Sequence, residues 1–143
     1  MNHAITFAAV AAVFYAAHQA GDYWVQTSGQ AAEKGLPGWK GRRACAAHVA
    51  SYTATLAGFL AMAAWWLSLP LAAGNAAAGL GLSAVTHYIS DRRTPLARIA
   101  DATGKGGFYR AGEGLATGAA LLDQAWHWCW LLASALVVAG WPR

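Results

Sequence analysis

The chain has 143 residues, 57% of them hydrophobic and only 11% charged, with a formal net charge of +4, whereas soluble domains carry about 25% charged residues. That length fits one domain and leaves no room for a second core. Nine of the ten Lys and Arg residues gather between apolar stretches, as membrane topology requires, which argues against a nucleic-acid-binding chain.

Segment lengths carry the membrane argument, since a span needs about 20 mostly apolar residues. The first predicted span, 4–26, is alanine-rich and ends in HQAGDYWVQ, with Tyr23 and Trp24 as interfacial aromatics. Residues 27–43 read as a polar loop in which Gly35, Pro37 and Gly38 break any helix. A second span, 44–69, passes through His48 to Trp65 and Trp66, and Pro70 marks a tight, uncharged connection. The third, 71–91, carries Gly74, Gly79 and Gly81, small residues that allow close helix approach and suit a subunit contact. Within the basic stretch 92–118, TPLARIADAT predicts a short interfacial helix and GKGGFYRAGEG a flexible loop. The last span, 119–139, is closed by Trp141 at an interface. The expected fold is an all-α, polytopic membrane protein with a four-transmembrane-helix bundle in a single domain over 1–143, arranged as two related helix pairs.

The positive-inside rule makes both Lys/Arg-rich loops cytoplasmic and the connection at Pro70 external. Both termini then lie outside a cytoplasmic (inner) membrane. No basic segment precedes the first apolar run, so a cleaved signal peptide is not expected. Cys45 and Cys129 form no CxxC and are read as small buried hydrophobes.

Three His/Asp pairs stand at span ends, one helical turn apart and so on one helix face: His18 with Asp22, His87 with Asp91, and Asp123 with His127. The order reverses in the last span, as antiparallel helices require if all three pairs share a level. Each carboxylate then lies toward the cytoplasm and each imidazole one turn deeper, with His48 at a similar height. His3, at the terminus, falls outside the set.

Ionisable residues within spans are costly and are turned inward and paired. Imidazoles and carboxylates on facing helices suit a divalent metal, zinc first, with manganese and iron as alternatives. The predicted metal set is His18, Asp22, His48, His87, Asp91, Asp123 and His127, the aspartates as ligands or as partners that orient the imidazoles. His48 is a fourth ligand or a general base, and His48 and Asp22 are the residues assigned to catalysis. Gln26, Gln124 and Lys34 are read as helix-end and loop-solvating groups, and Arg92 and Arg93 as topology anchors.

The motifs HQAGDYWVQ, Lys34, CAAHVASY, THYISDRR and LLDQAWHWCW together resemble a family of small bacterial and phage membrane proteins catalogued as a domain of unknown function. Its pattern is HxxxDxxxQ, a lysine, a lone histidine, HxxxD and DQxxH. The match spans about the whole chain and departs where Arg92 and Arg93 stand in place of a lysine that often follows the second HxxxD. The resemblance implies a polar pattern and no activity.

Two functions fit: a membrane-embedded metal-dependent hydrolase acting on a lipid-derived or phosphorylated substrate, and an oligomeric metal-ion or proton transporter. A purely structural polar layer in a non-catalytic membrane protein is the third reading. The expected partners are the lipid bilayer, such a substrate and a second copy of the chain.

Overall fold

The computed structural model describes residues 3–113 and 117–140, so Trp141 and part of the 92–118 stretch lie outside the described residues. Every element among the described residues is helical. The N-terminal helix α1, His3–Ala20, is built on alanine, the strongest helix former. It opens into a π-helical turn, Gly21–Val25, closed by Gln26 N–H donating to the Gly21 carbonyl at 3.0 Å. Such widened turns concentrate at functional sites, and this one carries Asp22.

The segment read as a loop contains a short helix, α2, Ser28–Glu33. Thr27 caps it, accepting from Gln30 N at 3.2 Å while Gln30 Oε1 accepts from Thr27 N at 2.9 Å. This reciprocal box satisfies two donors that a helix start leaves unpaired. The next helix, α3, Gly38–Trp66, begins well before residue 44. Pro37 sits at its extended entry position, so the Pro-Gly pair starts this helix besides separating it from α2.

After the turn at Pro70 come α4, Ala73–Asp91, and α5, Thr94–Ala102, the predicted short helix. The glycine-rich segment holds one turn of helix, α6, Gly106–Tyr109. The last helix, α7, spans Gly118–Ala139, with the Thr117 hydroxyl accepting from Ala120 N at 3.1 Å.

Helix α1 packs on α3 and α7, and α4 packs on the same two helices from the other side. Neighbours run antiparallel: His3 Nδ1–H at the start of α1 donates to the Ala139 carbonyl at the end of α7, while Tyr52 meets Ser83 and Cys45 meets Tyr88 across α3 and α4. Gly79 sets the α4–α7 distance, since a Cβ there would strike the Val138 side chain and lie 2.8 Å from the Ser134 carbonyl oxygen. Gly74 and Gly81 have open space around them.

Three stretches are long and apolar enough to cross a membrane: His3–Val25, Gly38–Trp66 and Gly118–Ala139. Helix α4 is diluted by Asn75, Ser83, Thr86, His87, Ser90 and Asp91, yet its 19 residues reach about 28 Å at 1.5 Å per residue. Trp65 and Trp66 are exposed at one end, Trp24 and Trp39 at the other, as interfacial aromatics are. Both basic segments meet at the second end, where Arg92 donates to the Lys34 carbonyl at 2.6 Å and the Leu36 carbonyl at 2.7 Å. Arg92 therefore ties two loops together, a role more specific than a topology anchor. Cys129 is exposed, in contrast to the expectation for it, because it lies on the outer face of α7, whereas Cys45 is fully buried.

Candidate metal centre

Each His/Asp pair arrives at the centre by helix geometry. His18 ends the regular part of α1, Asp22 lies in the π turn after it, His48 is on the second turn-pair of α3, His87 and Asp91 end α4, and Asp123 and His127 open α7. All four imidazoles are buried, none more than 3% exposed. The carboxylates lie toward the basic end, and Asp91 forms an ion pair there with Lys34 at 2.7 Å. The imidazoles lie deeper against Tyr52, whose ring centroid is 3.8 Å from that of His87. Below Tyr52 the bundle is mainly apolar, with Val10, Phe14, Leu56, Leu131 and Ala135 filling it and Thr6 and Ser134 buried among them.

The centre is tight. His48 Nε2 lies 3.0 Å from His87 Nε2. Asp22 Oδ1 stands 3.3 Å from His48 Nε2 and 3.4 Å from His87 Nε2. Asp91 Oδ2 is 3.3 Å from each of the same two nitrogens. Two nitrogens thus face each other and two carboxylate oxygens, although each Nε2 carries at most one proton. Asp22 Oδ1 and Asp91 Oδ2 have no well-formed hydrogen bond. Buried His/Asp groups here could hold a metal ion: Asp22, His48 and His87; His18, Asp22 and His127; and His87, Asp91 and His127, with donor atoms in each group within 4.8 Å of one another.

His18 and His127 flank this core. His127 Nδ1–H donates to the Asp123 carbonyl at 2.8 Å, with Asp123 Oδ2 at 3.4 Å. His18 Nε2 pairs with Gln124 Oε1 at 3.3 Å, and its Nδ1 faces Asp22 Oδ2 at 3.6 Å. Asp123 belongs to none of the three donor groups; it accepts a short hydrogen bond from the Ser90 hydroxyl.

Six of the seven predicted site residues therefore meet in these donor groups, Asp123 stands beside them on Ser90, and His3 lies away, at the opposite end. Lys34, expected to solvate a loop, is instead mostly buried against Asp91. Gln124, expected at a helix end, orients His18. Tyr52 and Ser90 carry no such assignment from sequence. Tyr52 stands one turn after His48, on the same face, which is the signal that would have found it. The side-chain amide nitrogen of Gln26 is buried without a partner.

Next to the layer, on the basic side, a cavity of about 410 Å³ is lined by Lys34, Ser90, Asp91, Arg93, Tyr109 and Asp123. Helices α5 and α6 form one wall of this basic end, braced by Arg110, which donates to Asp101 at 2.7 and 2.9 Å. That pairing holds the Asp101 carboxyl below its ordinary range and the Arg110 guanidinium above its own.

Compared with known protein families, curated proteins and solved structures, the chain matches none.

Proposed function

We propose that this chain is a four-span membrane protein of the cytoplasmic membrane that binds a divalent metal, zinc foremost, in a His/Asp layer near its cytoplasmic face and acts as a metal-dependent hydrolase. The observation that carries the reading is the spacing of four donor atoms. Bonds of about 2.0–2.1 Å in a tetrahedron put neighbouring ligands about 3.3–3.4 Å apart. Five of the six separations among His48 Nε2, His87 Nε2, Asp22 Oδ1 and Asp91 Oδ2 run from 3.0 to 3.4 Å. Without a cation, both imidazoles would have to carry an Nε2 proton to serve these two carboxylate oxygens although the two nitrogens stand 3.0 Å apart, and two carboxylates buried together call for more positive charge than Lys34 supplies.

With one carboxylate giving its place to water, as an open catalytic position requires, bound zinc would supply a Lewis acid and a water whose pKa falls to about 7. The residues of this chain divide the remaining work. His48 and Asp22 act as ligands, since their reactive atoms lie inside the four-atom set. Asp123 faces the cavity outside that set, held by Ser90, and is the carboxylate placed to hold a proton at the cavity side. Lys34 and Arg93 suit the anionic group of a lipid-derived or phosphorylated substrate. The apolar fill below Tyr52 supports a one-sided site over a conducting path. Membership of the small-membrane-protein family named above is proposed on the motif residues alone.

Elemental analysis of detergent-purified protein tests the site. Wild type retains zinc, and the His48→Ala/His87→Ala variant loses the ion of this four-atom set while keeping its helical content. Equal metal in both would sink the assignment, and metal-free wild type would favour the structural polar layer.

A further inference from the structure

We infer that the layer holds a second divalent cation, bound by His18, His127 and Asp22, with the Asp22 carboxylate bridging the two ions. This rests on the metal reading above but uses different atoms. Asp22 divides its oxygens: Oδ1 faces His48 and His87 at 3.3 and 3.4 Å, and Oδ2 faces His18 Nδ1 at 3.6 Å.

The tautomers point the same way. His127 gives its Nδ1–H to the Asp123 carbonyl at 2.8 Å, which leaves Nε2 as a bare lone pair. His18 uses Nε2 on Gln124 Oε1 at 3.3 Å, which leaves Nδ1 bare. Both bare nitrogens are buried without a hydrogen-bond partner. An imidazole tethered outward through one N–H while the other nitrogen faces carboxylates is the arrangement of a metal ligand. A buried lone pair without a partner is otherwise costly. The donor atoms of His18, Asp22 and His127 lie within 4.8 Å of one another, and the two imidazole rings are 5.1 Å apart at 30°.

Paired ions about 3.5–4 Å apart clamp the attacking and leaving oxygens of a displacement. Two divalent cations outweigh the three carboxylates around them, so the centre presents positive charge to the cavity edged by Lys34 and Arg93. That charge suits a phosphate ester more than a neutral ester or amide.

Titrating the metal-free protein with zinc and with Mn(II) tests the inference. Two equivalents bind to wild type, and one binds to each of His18→Gln and His127→Gln. The Mn(II)-loaded wild type gives the electron paramagnetic resonance spectrum of an exchange-coupled pair, a readout that stands even if the variants fail to fold. A single equivalent in wild type, or an uncoupled Mn(II) spectrum at saturation, overturns the second site and leaves the first intact. Two equivalents retained by both variants also overturns it, and no binding to wild type removes both sites together.

Discussion

Lys34 is the residue whose role is most changed by the fold. Its ammonium sits 2.7 Å from an Asp91 carboxylate that is 1% exposed, so removing it strands a buried charge. Breaking such a pair costs about 3–5 kcal/mol. Lys34→Met should therefore lower thermal stability sharply in metal-free protein and less in the zinc-loaded form, where the cation offsets Asp91. Unfolding in detergent with and without zinc reads the difference, and equal losses would detach Lys34 from the centre. Gln124 acts through His18, 3.3 Å away. Loss of an orienting partner of this kind weakens metal affinity about tenfold to a hundredfold. Gln124→Leu should show that loss in a zinc titration, while Gln124→Glu, which keeps an acceptor, restores most of it.

At the scale of elements, glycines decide how closely helices meet. In a bilayer, helix association depends on close packing because lipid is as apolar as the helix surface. Gly79→Val would drive a side chain into Val138 and the Ser134 carbonyl, and overpacking of this sort costs about 1–3 kcal/mol. A lower melting temperature in detergent is expected for it, and none for Gly81→Val, which has open space. Gly21 has a different duty: a Cβ there would lie 2.8 Å from the Tyr52 ring, so this glycine lets the π turn close over the tyrosine that floors the site. The α5–α6 brace is polar and exposed. A carboxyl held below its ordinary range contributes above that range and is lost as pH falls through its lowered value. The protection factors of the Gly106–Tyr109 amides, taken relative to the intrinsic rate at each pH, should accordingly fall on acidification, and Asp101→Asn should show the lower protection already at neutral pH.

For the whole molecule, the distribution of charge predicts orientation. Both basic segments share one end and the exposed Trp65–Trp66 pair marks the other. Single cysteines at Lys40 and Arg98 should react with an impermeant maleimide only in inverted membranes, and one at Ser68 only in intact cells whose outer barrier is opened. Labelling of all three from one side would refute the four-span topology. The cavity beside the site lies at the basic end, and Phe14, Leu56 and Leu131 fill the bundle toward the other end.

Three of the four apolar stretches, the helical class and six of the seven His/Asp residues of the donor groups were legible in the linear chain, because helix period and antiparallel topology place HxxxD and DxxxH pairs at a common depth. The Thr27–Gln30 capping box that starts α2 forms no part of the loop reading of 27–43, which rests on the glycines and proline that follow it. Tertiary structure alone decided which imidazoles share a centre and which stand beside it. The choice depends on the rotation of each helix about its axis and on packing at Gly79 and Gly21, neither of which periodicity specifies. It also decided the fate of Lys34: a lysine in a polar loop is ordinarily solvated, and only the packing of α2 against α3 brings the lysine that follows α2 to Asp91.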